Sequence, residues 1–416
     1  MGTGDLERSL GLYSTMMISM GAMIGSGIFV LPALGYKKAG PAVIFAYLLA
    51  ALVVLPAALS KSEMATAMPE SGGTYLYIDR ALGPLFGTIA GIGAWFSLVF
   101  KSAFALVGLG AYLLLLVPIS QGQIVLVALT LGTLVIVLNI SGTKLSGQVQ
   151  AVIVSLVIVG ISAYTLNAGL FTDASRFAPL RTNGNTGIVT AAAFIFVSYA
   201  GVTKIASVAE EVKDPGTNLP RAMLGSLAIM SVIYVGVVII SVIAIVALTS
   251  MANAGVLSSS RFPLAMSRDN LLPPVLRRID RRFKTPRNAV LLTGSVLLFL
   301  IAFVPVIELA KLASAFQILV FAIENLALVA FKLGELPSYD PDFVAPGYPY
   351  VQAFGFLGCG VLLTQMGLTP ILGAVALIVG GVLVYVLYGR ARTDRVGAIH
   401  HYLRQRGEPD AADRPD

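Results

Sequence analysis

The sequence predicts an all-α polytopic membrane protein of about 12 transmembrane helices, and three observations carry that prediction. Hydrophobic residues make up 57% of the chain and charged residues only 12%, against roughly 25% charged residues in a soluble globular domain. Apolar stretches of about 20 residues recur along the chain, the length an α-helix rising about 1.5 Å per residue needs to cross a ~30 Å hydrocarbon core. The 42 glycines fall inside those stretches, where small residues let membrane helices approach closely, so they do not signal a disordered or collagen-like chain.

In chain order the apolar segments lie at residues 10–34, 41–59, 84–116, 123–140, 147–170, 187–208, 222–242, 244–262, 288–305, 309–331, 351–368 and 370–388. Residues 1–9, with Asp5, Glu7 and Arg8, lead into a full-length span rather than a short apolar region with a cleavage site, so no cleaved signal is expected. With the N-terminus inside, Lys61, Arg80, Lys144, Lys213, Arg221, the basic block from Arg268 to Arg287, and Arg390, Arg392 and Arg395 fall on the cytoplasmic side. The other face keeps Lys37, Lys38, Arg176 and Arg181. The positive-inside rule then predicts both termini in the cytoplasm of a cell-membrane protein. Two crossings must fit between Arg221 and Arg268, which makes the seventh and eighth spans a minimal hairpin. Residues 393–416, ending GEPDAADRPD, are too polar to bury an apolar surface of their own and read as a cytoplasmic tail.

The first span contains Gly21-Ala22-Met23-Ile24-Gly25-Ser26-Gly27. A glycine inside a helix costs about 1 kcal/mol relative to alanine, so such a run at bilayer depth has a reason. Close helix packing is one. A broken helix is the other: its freed amides line a cavity and bind an anionic group at a helix N-terminus, which suits a carboxylate. The sixth span carries a second interrupted stretch, Phe196-Val197-Ser198-Tyr199-Ala200-Gly201-Val202. Two interruptions in corresponding places of two halves point to an inverted-repeat transporter.

Five strings occur in order: GAMIGSGIF; Glu63-Met64-Ala65 with Pro69 to Tyr75 (PESGGTY); SYAG leading to AEEVKDP; SRFPLAMSRDNLLP from Ser260; and DFVAPGYPY from Asp342. Together they resemble the amino acid-polyamine-organocation (APC) superfamily of amino acid permeases, over nearly the whole chain. The resemblance implies a five-plus-five inverted repeat with broken helices 1 and 6, residues 10–170 and 187–331 forming the two repeats and 351–388 two peripheral helices. It also implies that a substrate carboxylate meets the amides of Ile24, Gly25, Ser26 and Gly27, and that a substrate ammonium meets carbonyls at Tyr199, Ala200 and Gly201. Three departures stand out. Val202 occupies the place where many relatives carry an aromatic gate, no lysine falls in Ser155 to Ile158 where proton-coupled relatives can carry one, and tens of residues are missing around Val242 to Leu248, where relatives have an outer loop.

Lys101, Lys204 and Glu324 lie well inside predicted spans. A charge near the bilayer centre costs at least about 2.5–3.5 kcal/mol, so each needs a partner or a wet cavity. One reading pairs Glu324 with one of the two lysines; the sharper one makes Lys204 or Lys101 a proton-coupling group or a substitute for a bound cation. Sodium is the alternative, with Ser258, Ser259 and Ser260 offering oxygens. Both histidines, His400 and His401, lie in the tail and the single cysteine, Cys359, lies in an apolar stretch. No metal, cofactor, disulfide or nucleic-acid partner is expected, and no G-x-S-x-G or H-E-x-x-H motif supports an enzyme. The sequence therefore predicts a secondary carrier that moves an amino acid, neutral by modest preference, by alternating access with proton coupling or exchange; the competing class is a membrane receptor or partner-dependent subunit that binds an amino acid without transporting it.

Overall fold

A computed structural model of the chain describes residues 8, 10–24, 28, 31–70, 72–116, 120–140, 152–163, 184–236, 252, 254–280, 285–334, 339–393, 395, 397–400 and 402. These residues are helical nearly throughout, and their one strand-like feature is a parallel bridge between Leu10 and Val212. The first span is two helices, α1 (Leu12–Met23) and α2 (Leu31–Ala39). Ile24 leaves the helical region at φ −64°, ψ 134°, one residue before Gly25. Gly25, Ser26 and Gly27 themselves lie outside the described residues.

The next elements are α3 (Val43–Ala67), a short α4 (Thr74–Leu82), α5 (Pro84–Leu116), α6 (Gln121–Ile140) and α7 (Val152–Ala163). In the sixth span α8 (Gly184–Ile195) stops at Ile195, and the chain goes on as tighter 3-10 turns over Phe196–Gly201 and Lys204–Glu211. The second interruption is therefore an unwinding of the whole second half of the span. The chain then forms α9 (Pro215–Gly236), a helical stretch at 254–259 leading into α10 (Arg261–Arg268), α11 (Arg287–Phe303), α12 (Val306–Gly334), α13 (Tyr350–Thr364) and α14 (Leu368–Val384). Six of the described helices are long and apolar enough to cross a membrane, and three more apolar helices are shorter. The protein is an all-α polytopic membrane protein. The predicted connection between the seventh and eighth spans, around Val242 to Leu248, lies outside the described residues.

The bundle centres on α5 packed along α12, with α3 against α9 and α1 lying on α9. Small residues set these approaches: Ser97 Oγ of α5 donates to Ala313 O of α12 at 2.8 Å, and Gly93 admits Val320.

Three expectations need correction. Helix α3 runs to Ala67 rather than ending near 59, because no proline or glycine lies between Leu59 and Pro69. Lys61 is therefore not a cytoplasmic surface charge; it is 2% exposed and its Nζ lies 2.7 Å from Glu324 Oε1. Glu324 in turn pairs with Lys61, not with Lys101 or Lys204, since α3 faces α12 at that level while the two other lysines lie elsewhere. Finally, the chain beyond 393 does not leave the bundle at once: Ala398 is 1% exposed and lies against Gly334, and Gly397 lies against Gly83. Two residues without bulk let that backbone lie flat on the ends of α4 and α12.

Candidate functional site

The two interruptions meet. A Cβ built on Gly201 would stand 2.6 Å from Ala22 C and Met23 N, so the unwound sixth span runs directly against the backbone at the end of α1. Ile24, Tyr199, Ala200 and Val202 are all buried around that contact. Tyr234 of α9 ties the two together: its hydroxyl lies 2.8 Å from Met23 O and 3.1 Å from Ser198 O, and its one proton serves one carbonyl at a time. Tyr199 donates to Tyr47 O at 3.2 Å, and the Tyr234 ring lies tilted against Tyr47 at 5.1 Å and edge-on to Tyr199 at 5.0 Å between centroids. Sequence reasoning missed Tyr47 and Tyr234. Their signal was a hydroxyl inside an apolar span, which needs a buried acceptor.

Lys101 of α5 is fully buried and donates to two carbonyls freed by the unwound span, Val197 O at 2.6 Å and Ser198 O at 3.3 Å. Its ammonium thus satisfies main-chain oxygens as a bound cation does. Lys204 is 3% exposed, and its Nζ finds no hydrogen-bond partner among the described residues. It stands beside Gly255 and the Ser102 hydroxyl of α5. Of the three candidate sodium ligands, Ser259 and Ser260 turn their hydroxyls back on their own helix, to Val256 O and Leu257 O, while Ser258 Oγ has no partner among the described residues. No group of His, Cys, Asp and Glu suited to a metal ion occurs among the described residues.

The charged strings of the sequence converge at one end of the bundle. Arg261 pairs with Glu211 at 3.4 Å and Arg268 with Glu210 at 3.5 Å, which joins SRFPLAMSRD to AEEVKDP. Glu63 accepts from Ala345 N at 2.6 Å and pairs with Lys332 at 2.6 Å, which joins the end of α3 to the segment before α13. Gly73, just before α4, lies against the backbone of Ala206 and Ser207, so the start of α4 is pressed onto the unwound span. Leu10 N donates to Glu211 O at 2.9 Å, which pins the chain's start there too.

Next to these, Arg395 reaches back from the chain end to Asp79 at 3.6 Å and to Asp269 at 2.5 Å, with Arg80 on both carboxylates and Tyr75 donating to Asp269 at 2.7 Å. Burial pushes the Asp79 carboxyl up to about 6, with neighbouring Asp269 adding to the rise while Arg80 and Arg395 oppose it. Burial also raises Asp269, but Arg395, Arg80 and Tyr75 outweigh that and hold it below the usual carboxylate value. The folded state thus keeps the Asp79 proton above about pH 4, where an unfolded aspartate loses it. Its contribution to stability is present below that pH and is lost as pH rises to about 6; the Asp269 contribution is instead lost as pH falls below about 4. Asp79→Asn should therefore gain melting temperature relative to the parent between pH 4.5 and pH 7.5 in detergent. A difference that does not change with pH would exclude the assignment.

Comparison with known proteins now gives these features a setting. A family model described as amino acid permease matches residues 14–247, and a second of the same description matches residues 235–389. The branched-chain amino acid permease BcaP of Bacillus subtilis is 28% identical over 442 residues, covering 94% of this chain and 94% of the relative. The methylthioribose transporter of the same organism is 27% identical, covering 93% and 94%. BcaP of Lactococcus lactis is 28% identical, covering 91% and 93%. Because 94% of 416 residues is about 391, the 442-position alignment with the first relative leaves about 50 positions without a residue here. The matched models cover most of the chain, and the chain belongs to the amino acid permease family of the APC superfamily.

Proposed function

We propose that the protein carries neutral, branched-chain amino acids across the cell membrane by alternating access, with both termini cytoplasmic and with proton coupling or exchange. The observation that carries this reading is the meeting of the two interruptions at Gly201 and Ala22–Met23. An α-carboxylate suits the amides that follow Ile24 at Gly25, Ser26 and Gly27, and an α-ammonium suits the carbonyls near Tyr199, Ala200 and Gly201. The side-chain end would face Val202 and its apolar neighbours, which favours an uncharged aliphatic group; the printed names of two relatives agree. The end closed by the Arg261–Glu211 and Arg268–Glu210 pairs is the cytoplasmic one in this reading, and those pairs separate when the carrier opens inward.

Uptake into proteoliposomes tests it, using labelled leucine, isoleucine, valine, lysine, glutamate and methylthioribose, with and without sodium and an inward proton gradient. Leucine, isoleucine or valine should enter fastest; preferred lysine or methylthioribose uptake would overturn the substrate. In the proton-coupled case Lys204 is the titrating group, faced by Lys101 and Ser102 of α5 and by the 254–259 helix. Lys204→Met should then remove the response to the proton gradient while the protein still folds, and an unchanged response would rule Lys204 out.

A further inference from the structure

Among the described residues five carboxylates are buried: Glu63, Asp79, Glu211, Asp269 and Glu324. Each is in an ion pair, with Lys332, Arg80 and Arg395, Arg261, Arg395 and Arg80, and Lys61 respectively. Two buried cations are left without a carboxylate, Lys101 and Lys204. They lie in one region: Lys101 adjoins Ser102 in α5, and a Cβ added at Gly255 would collide with the Ser102 hydroxyl and stand 3.6 Å from Lys204 Nζ. Lys101 uses carbonyls, which accept its protons but supply no full countercharge. Lys204 Nζ is buried with no acceptor at all among the described residues. One hydroxyl without a partner among the described residues lies on the same helix: Ser258, one helical turn along from Gly255.

Two positive charges in a dry interior repel each other and are costly without an opposite charge. We infer that Lys204, with Lys101 behind it and Ser258 one helical turn along from the neighbouring Gly255, forms a buried site for a small monovalent anion. The anion is free chloride, which presents a compact negative charge to an ammonium and a hydroxyl. The form of Lys204 that binds it is the protonated one, the same form that carries a proton in coupled transport. The site does not depend on which amino acid is carried.

Thermal unfolding of the purified full chain in detergent, followed through the fluorescence of its single tryptophan, tests this without requiring transport. With bulky gluconate as the only anion, chloride should raise the melting temperature saturably, as any ligand of the native state does. Stabilisation by aspartate or glutamate, but not by leucine, with chloride absent would place a substrate carboxylate there and overturn the chloride site. Lys204→Gln should raise the half-saturating anion concentration at least tenfold, and Ser258→Ala, a milder change, about threefold. No saturable shift by chloride in the parent protein would overturn the site, as would an unchanged half-saturating concentration in both variants. Failed uptake alongside a retained anion shift would count against the transport reading alone.

Discussion

Glu324→Ala is expected to cost about 3–5 kcal/mol of stability, because it leaves the Lys61 ammonium buried without its countercharge. The pair sits where α3 and α12 face each other, and Thr74 at the start of α4 bonds to both partners, so one carboxylate holds three elements. Replacing both charges at once, as Lys61→Met with Glu324→Leu, should recover much of the loss, since apolar residues of similar size can substitute for a buried pair. Denaturant unfolding in detergent measures both. A single-variant loss below about 1 kcal/mol would mean that water or another charge reaches Lys61. Its pairing with Lys61, rather than with Lys101 or Lys204, ties the buried carboxylate to the packing of α3 on α12.

The second large effect is expected at Gly201. An alanine there would place its Cβ 2.6 Å from two backbone atoms of α1, which cannot swing aside as a side chain can. Overpacking of this kind typically costs about 1–3 kcal/mol, and here the strain falls on the contact between the two interruptions. Gly201→Ala should therefore weaken substrate binding by about tenfold or more, tenfold being ~1.4 kcal/mol. Substrate-dependent thermal shift and uptake by the same preparation would show it. Parent-like affinity would mean that the two spans can separate at this point without disturbing the site. Gly35, packed against Val43 and Ile195, offers a comparison: a Cβ there meets only side-chain tips, so Gly35→Ala should be felt less.

How much was legible beforehand depends on the range of the interaction. Membrane residence and the helical spans follow from hydropathy over windows of about 20 residues, and that information is local. The first interruption is equally local, since glycines that cost helix stability sit beside Ile24, where the backbone turns extended. The extent of the second was not legible: Tyr199, Ala200 and Gly201 marked its centre, but the 3-10 winding runs from Phe196 to Glu211. Propensity marks where a helix is weak, whereas packing against α1 and α4 decides how far it unwinds.

Charges divide in the same way. That Lys101, Lys204 and Glu324 are costly inside a membrane is a property of each residue alone, and the sequence by itself determined it. Their partners lie far along the chain: Lys61 meets Glu324 across 263 positions and Lys101 meets Val197 across 96. Periodicity carries no information at that separation, so Lys61 read as a loop charge and Tyr234 as one more apolar-span residue. The sequence by itself determined the all-α membrane class, the broken first helix and, through five ordered strings, the family. Only the tertiary structure decided which cations are neutralised and which are not, because that depends on which helix faces meet. That difference separates Lys61, held by Glu324, from Lys204, which has no partner among the described residues.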